Sequence, residues 1–425
     1  MTGKTLVMTV LFSLVTGTAP AGSRIEGPMA FEPLAGSVIT GSLPPDMPLA
    51  IPPGFSQRVI SDESDLDIYP GMPDWNDMNT VNESGARAGR YLYRTHEVRP
   101  SSAGGNRNFI AAGGGAVSVV DLESGKARVL IQRGDWEALD GIVWTPWHTL
   151  LIAEEASSVK GPTIPDPDVP AATEGLLYEI RLTGSDPAIA AGVTVRPLLG
   201  SMSHEGIEVD GRGYVYLVDE HHNGAIYRFV PTTPGDLGSG RLFALKLNDS
   251  NSGNGTGTAS WVALDMQQVP VSARIAAAKA GASTYNRPED LEIIDNRLYV
   301  ALTGENRVLS ISLDDRPVVR EFVAAGRNVP VEASGRTGFR KPDNLARDAA
   351  GNLWIAEDNV PSDIWVAAPD ANDDGHADGM SLFGSLSTPG AEASGIYFGK
   401  DPGTLYVNVQ HSGDANDKTL AVGRE

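Results

Sequence analysis

The sequence predicts an all-β chain, a β-propeller of about six blades with loop and short helical insertions, and three observations carry that prediction. One motif, an acid followed by a turn and an apolar triplet, recurs along the chain. Turn formers are abundant without any collagen-like period, with 48 Gly and 29 Pro in 425 residues. An apolar fraction of 41% is enough to build a sizeable core.

The recurring unit reads DGIVWTPWHTLLI at 140–152, EGIEVDGRGYVYL at 205–217, EDLEIIDNRLYV at 289–300 and DNLARDAAGNLWI at 343–355. A fifth copy, SGIYFGKDPGTLYV at 394–407, has Ser394 at the acid position and Glu392 two residues upstream. Each copy continues into a further short apolar run: LLYEIRL, AIYRFVP, RVLSISL and DIWVAAP follow the first four. NFIAAGGGAVSVVDLESGKARVLIQ at 108–132 resembles the outer part of another unit. Copies lie roughly 50 to 85 residues apart, too far for solenoid repeats and suited to propeller blades with insertions. Two stacked β-sandwiches are the competing architecture. Residues 157–172 are Pro-rich and 248–260 are of low complexity, so both read as insertions, while VSARIAAAKA at 271–280 predicts a short helix.

The first 21 residues place Lys4 before an apolar run from Leu6 to Val15 and end in Ala19, Pro20 and Ala21. That pattern predicts an export signal cut after Ala21, because about ten apolar residues are too few to span a bilayer. The expected division is therefore 1–21 signal, 22–85 an N-terminal extension and the start of the propeller, and 86–425 the propeller domain. With no cysteine, the chain has neither disulfides nor thiolate metal sites, and outside the cytoplasm its stability must come from core area or bound ions. A formal net charge of −21 opposes nucleic acid and anionic membranes and favours cations.

If the units surround one channel, the residues opening their innermost strands meet at one end of it. Asp140, Glu205, Glu289 and Asp343, with Glu392, would converge there. The acids that follow the triplets, Glu154 and Glu155, Asp219 and Glu220, Glu357 and Asp358, would join that mouth or a neighbouring layer. Two like charges 4 Å apart repel by about 4 kcal/mol at an effective dielectric near 20. Bound hard cations would relieve that repulsion, calcium, magnesium, manganese or ferric iron being suited to all-oxygen ligation. Capping of backbone amides at strand ends is the plainer role for such acids. Arg287, ahead of Pro288, Glu289 and Asp290, would offer a fork for a phosphate or carboxylate, or else a salt bridge to Glu289 or Asp290. Separately, Asp370, Asn372, Asp374, Gly375 and Asp378 follow the spacing of a calcium loop, but no Glu closes it as in an EF-hand. No Gly-x-Ser-x-Gly elbow or His-Glu-x-x-His helix is present. Of the seven histidines, His96 and His204 precede acids and suit either a supporting role beside a metal ligand or a core hydrogen bond, while His221 and His222 fall in a turn.

THE at 95–97, TPWHTLLIAEE at 145–155, SHEGIEVDGRGYVYLVDE at 203–220, RPEDLE at 287–292, KPDNLARDAAGNLWIAED at 341–358 and EASGIYFGKDPGTLYVNVQH at 392–411 together resemble the PhoX-type alkaline phosphatases. The resemblance covers most of the chain from about residue 90, in the family's order. It implies an exported propeller that hydrolyses phosphomonoesters with an iron and calcium cluster at the end of its channel. By the same resemblance Glu155, Glu205 and Glu289 would be the iron-side ligands, Glu97, Asp343 and Glu392 the calcium-side ligands, and Arg287 the phosphate grip. Ala153 stands where family members commonly carry a cysteine associated with the iron pair, and the leader lacks a twin-arginine signature. The reading is thus a secreted or periplasmic phosphoric monoester hydrolase, monomeric, acting on a small phosphoester. Its cofactors would be Ca2+ and Fe3+, with iron lacking the family's thiol. The alternatives are a calcium-dependent lactonase or esterase propeller and a non-enzymatic, calcium-stabilised binding propeller.

Overall fold

Antiparallel strands account for nearly all regular structure in the computed structural model, which describes residues 25, 27–66, 68, 74–98, 114–156, 174–249, 254–329, 338–413 and 416–425. The expected leader and the Pro-rich insertion at 157–172 lie outside the described residues. Two strands come first, β1 (Leu49–Ala50) and β2 (Phe55–Asp62). The first meander comprises β3 (Asn76–Val81), β4 (Tyr91–His96), β5 (Ala116–Asp121) and β6 (Lys126–Gln132). The second comprises β7 (Leu139–Trp144), β8 (Thr149–Glu154), β9 (Leu177–Leu182) and β10 (Ala190–Val195). The third has β11 (His204–Val209), β12 (Val215–Asp219), β13 (Ile226–Pro231) and β14 (Gly240–Leu247). β15 (Gly257–Ala263) and helix α1 (Ala273–Ala280) precede the fourth: β16 (Pro288–Ile294), β17 (Arg297–Leu302), β18 (Arg307–Ser312) and β19 (Val318–Ala324). The fifth is β20 (Pro342–Arg347), β21 (Leu353–Glu357), β22 (Ser362–Ala367) and β23 (Met380–Leu386). The last is β24 (Glu392–Phe398), β25 (Thr404–Gln410) and β26 (Lys418–Arg424), completed by β2.

The first strands of the meanders pack on one another in the cyclic order β3, β7, β11, β16, β20, β24 and back to β3. This is a β-propeller, and a pair of stacked sandwiches does not describe it. β2 pairs with β26 from Phe55 opposite Arg424 to Asp62 opposite Lys418, so a strand from early in the chain closes the ring beside one from its end. β1 adds a fifth strand to the fifth meander, and β15 links the third to the fourth.

Strand alternation accounts for the core. Successive side chains point to opposite faces, so the apolar triplets feed two seams at once. In β12, Leu217 enters the seam with the second sheet while Tyr216 and Val218 enter the seam with the fourth meander. Similar seams run from the first sheet to the second, from the fourth to the fifth, from the fifth to the last, and from the last back to the first. Every sheet is therefore covered on both faces and held by its neighbours, so the channel mouth rests on a rigid frame. The predicted helix is present: Ser272 caps α1 by accepting from the Ile275 amide, and Gly281 ends it at φ 69°.

Candidate metal centre

Each innermost strand carries a bulge near its start. The ladder skips Asp77 and Met78 in β3, Asp140 and Gly141 in β7, Glu205 and Gly206 in β11, Glu289 and Asp290 in β16, and Asp343 and Asn344 in β20. An extra residue bends a strand and re-aims its side chain, and in these five strands the first bulged residue is an acid. In β24 the bulge falls at Gly395 and Ile396, and the acid comes from Glu392 at the head of the strand. In β16 and β20 the second bulged residue stitches neighbouring strands together. Asp290 accepts from the Leu291 and Leu345 amides at 2.7 and 2.8 Å, and Asn344 accepts from the Gly395 amide. Close approach requires glycine at 141, where a Cβ would lie 2.1 Å from the Glu205 carbonyl oxygen.

A second tier comes from the residue after the second strand. The last residue of that strand pairs with the first strand, and alternation turns the next one toward the mouth; in the last meander the paired Gln410 also reaches the mouth acids. His96, Glu154, Asp219, Leu302, Glu357 and Gln410 are the paired residues. Glu97, Glu155, Glu220, Thr303, Asp358 and His411 follow them. In five meanders the second-tier amide donates to the carbonyl of the residue just before the first strand: Glu97 to Trp75, Glu155 to Ala138, Glu220 to Ser203, Thr303 to Arg287 and Asp358 to Lys341, at 2.8 to 3.0 Å.

The two tiers interlock. Carboxylate oxygens lie within 4.8 Å of one another in three groups: Asp77, Glu97 and Asp140; Asp140, Glu155 and Glu205; Glu205, Glu220 and Glu289. Asp140 and Glu205 each belong to two groups, so the acids form one continuous arc. Asp343 extends it between Glu289 and Glu392. His411 Nδ1 lies 3.0 Å from Glu392 Oε1, and Gln410 Nε2 donates to Glu97 Oε1 at 2.8 Å and Asp77 Oδ2 at 3.2 Å, which closes the circuit. Burial first, and then neighbouring carboxylates, raise Asp77, Glu205, Glu289 and Asp343 well above the ordinary range. Burial also raises Glu392, against the hydrogen bond from His411. Although burial opposes its charge, that same bond raises the His411 pKa.

Arg287 reaches into this arc from the fourth meander. Its Nε donates to Glu220 Oε1 at 2.6 Å, Nη2 lies 3.1 Å from Glu289 Oε1, and Nη1 lies 3.8 Å from Asp358 Oδ2. Despite the penalty of burial, Glu289 and Glu220 raise its pKa. Of the two salt-bridge partners the sequence offered, the contact is with Glu289. Asp290 is occupied by backbone amides, and burial pushes it up to about 7.

The expected ligands Glu97, Glu155, Glu205 and Glu289 thus lie along the mouth, with Asp343 and Glu392 continuing the line. From each acid doublet only the second member joins them. Glu154 accepts from the Glu137 and Leu176 amides, with burial pushing it up to about 7. Asp219 pairs with Arg274 of α1, and Glu357 accepts from the Arg340 amide and the Trp365 indole. Asp77 is a mouth acid that the repeat did not reveal. His204 is a core histidine, bonded to the Gly200 carbonyl and lowered by burial to about 4. His96 contacts Ser118 at 2.7 Å and faces Asp74 at 3.4 Å. The loop with Asp370, Asn372, Asp374 and Asp378 lies between β22 and β23, away from the mouth. Asp370 accepts from the Asp374 and Gly375 amides, Asn372 donates to Asp378 at 2.9 Å, and Asp374 accepts from the His376 amide.

As a donor set the mouth is all oxygen apart from His411, which suits hard, multiply charged cations. Glu289 Oε1 is buried, and its contact with Arg287 Nη2 is an ion pair without hydrogen-bond geometry. Ala153 points into the apolar seam with Leu151, Leu177 and Met202 and supplies no ligand atom.

The sequence model of the family described as alkaline phosphatase PhoX matches residues 143–413. PhoX of Pseudomonas fluorescens, solved with vanadate as a transition-state analogue, superposes with a TM-score of 0.67 at 19% identity over 94% of this chain and 98% of that one. A putative gluconolactonase gives 0.47 at 12% identity over 91% and 98% of the two chains. Aldose sugar dehydrogenase of Escherichia coli gives 0.46 at 15% identity over 87% and 100%. No curated protein sequence matches the chain. These structural likenesses are of fold, whereas the family match spans most of the chain and takes in the mouth acids from Glu155 to Glu392: this protein belongs to the alkaline phosphatase PhoX family.

Proposed function

We propose that the chain is an exported, metal-dependent phosphoric monoester hydrolase whose centre is the channel mouth. The carrying observation is the arc of interlocked, mostly buried carboxylates from Asp77 to Glu289 with one guanidinium set into it. At 4.8 Å, a pair of full charges repels by about 3.5 kcal/mol at an effective dielectric near 20. Protons or cations must therefore reside there, and a protonated arc would leave an alkaline enzyme without its charge pattern.

Glu155, Glu205 and Glu289 would hold cations on one side, and Glu97, Asp343 and Glu392 on the other. Asp77, Asp140 and Glu220 fill the arc between them. Bound cations would supply Lewis acidity, polarising the phosphoryl oxygens and activating water. The all-oxygen set favours calcium, and the apolar setting of Ala153 leaves an iron pair without the family's thiol. Arg287 has its Nε and Nη2 fixed by Glu220 and Glu289, which leaves the Nη1 corner to grip a non-bridging oxygen. The fixed fork orients the ester and stabilises charge that develops in the transition state. No protein nucleophile is required.

The test is release of nitrophenol from p-nitrophenyl phosphate by protein kept in calcium, then in a chelator, then resupplied. Activity should disappear with chelation and return with calcium. Hydrolysis unaffected by chelation, or hydrolysis of lactones without any phosphoester, would defeat the proposal.

A further inference from the structure

Three acids gather where the ring closes, apart from the mouth arc. Glu63 follows β2, Asp74 lies just ahead of β3, and Asp417 immediately precedes β26. One carboxylate oxygen from each lies within 4.8 Å of the other two. Asp74 and Asp417 are buried and Glu63 is half-buried. Backbone amides aim two of them: the Asp74 amide donates to Glu63 Oε1 at 2.8 Å, and the His411 and Ser412 amides donate to Asp417 Oδ2 and Oδ1 at 3.3 and 2.7 Å. Carboxylates this close and this buried need a counter-charge. The nearby Arg94 is buried too, but it donates to the Ser118, Thr419 and Ser61 hydroxyls at 3.0, 2.8 and 3.1 Å and makes no salt bridge to a carboxylate among the described residues.

His96, the last residue of β4, offers a fourth donor to the same cluster. Its side chain is 1% exposed, and Nδ1 lies 3.4 Å from Asp74 Oδ1 without hydrogen-bond geometry and with no other hydrogen-bond partner. Nε2 meets Ser118 Oγ at 2.7 Å. As a donor there, Nε2 fixes the tautomer that turns the Nδ1 lone pair toward the acids. A charge-assisted hydrogen bond between Nδ1 and Oδ1 would close to about 2.7–2.9 Å. Ligands at tetrahedral corners of a shell with bonds of about 2.0–2.1 Å stand about 3.3–3.4 Å apart, which is the separation found.

We propose that Glu63, Asp74, His96 and Asp417 form a separate cation site for one small divalent ion, Mn2+ or Zn2+, that pins the ring closed. Three carboxylates with one imidazole suit such ions, whereas calcium takes oxygen ligands. The ion joins β2, the entry to β3, the end of β4 and the entry to β26, and so ties the closing blade to the first. In a chain without cysteine no disulfide can do this. The role is in stability, and it does not depend on the phosphatase reading.

The experiment uses the full chain, stripped by a chelator, refilled with excess calcium and then titrated with Mn2+ or Zn2+, in wild type, Glu63→Gln and Asp417→Asn. Bound metals are counted by elemental analysis after dialysis, and Tm is read by calorimetry. Wild type should take up at least one equivalent of Mn2+ or Zn2+ against the calcium, with a Tm rise of about 3 °C or more at about a hundredfold the dissociation constant. Each variant should take up one equivalent fewer and lose that rise, with its calcium content unchanged. Glu63 is half-buried, so its isosteric change leaves the core intact. Uptake and a Tm rise that persist in both variants would overturn the assignment. So would a wild type that takes up neither ion in the presence of calcium, which would leave an acid cluster held by shared protons.

Discussion

Replacing Arg287 by alanine tests the phosphate grip most sharply, because the structure limits how much the residue can contribute. Nε donates to Glu220 at 2.6 Å and Nη2 pairs with Glu289 at 3.1 Å, while Nη1 is 3.8 Å from Asp358, beyond hydrogen-bond range. At least one charge-assisted contact to the phosphoryl group, through the N–H groups of Nη1, is therefore available. Such a contact contributes about 1.5–3 kcal/mol, so Arg287→Ala should lower kcat/KM for p-nitrophenyl phosphate by about 10- to 150-fold. Arg287→Lys should fall between the two, since a point charge keeps the attraction but loses the fork. The assay is steady-state release of nitrophenol in saturating calcium, with bound metal measured on the same samples. Calcium matters because without it the substitution also removes the only guanidinium that touches Glu289 and Glu220 among the described residues. A kcat/KM within about threefold of wild type at equal metal content would refute the reasoning.

Two further perturbations address the charge arc. Glu205 belongs to two of the three carboxylate groups, so Glu205→Gln should reduce bound cation and lower activity by at least tenfold at limiting calcium, with partial recovery at high calcium; metal analysis and kinetics on one preparation check it. The ring closure carries a second acid group, Glu63, Asp74 and Asp417. Burial, then repulsion from Asp74, raises Glu63 from 4.5 to about 9, and burial raises Asp417 from 3.8 to about 7. A native pKa above the unfolded one contributes stability that is complete below the unfolded value and is lost as pH climbs through the native value. The Tm of chelated protein should therefore fall from about pH 4 to pH 9, and Asp417→Asn should flatten that fall below about pH 7; a Tm that rises across this range would contradict it.

The sequence made much of the mouth legible because the acid and the second-tier residue are tied to one hairpin. Asp140 and Glu155, Glu205 and Glu220, and Asp343 and Asp358 share one spacing, set by a short turn of common length. Asp77 escaped notice because its hairpin is longer and Met78 replaces the small or polar residue of the other copies. Strand alternation decides which acid of each doublet reaches the channel, and that could have been read from the triplets: Glu154, Asp219 and Glu357 continue the strand, whereas Glu155, Glu220 and Asp358 leave it. The bulge is harder to read, since it is a backbone response to packing six strands around one axis. It moves by a step in β24, so Ser394 takes the acid's place in the sequence while Glu392 takes its place in the arc. Positive φ at Lys341 has no local signature at all, because a lysine before proline would ordinarily be extended. The pairing of β2 with β26 joins residues more than three hundred positions apart, beyond the reach of any local pattern.

Elemental analysis of natively purified protein bears most directly on the claim that these side chains share bound cations. The account predicts more than one equivalent of a hard cation per chain, calcium foremost, lost on chelation together with phosphatase activity and diminished in Glu205→Gln. Fully active protein holding less than about half an equivalent of any multivalent metal would contradict it.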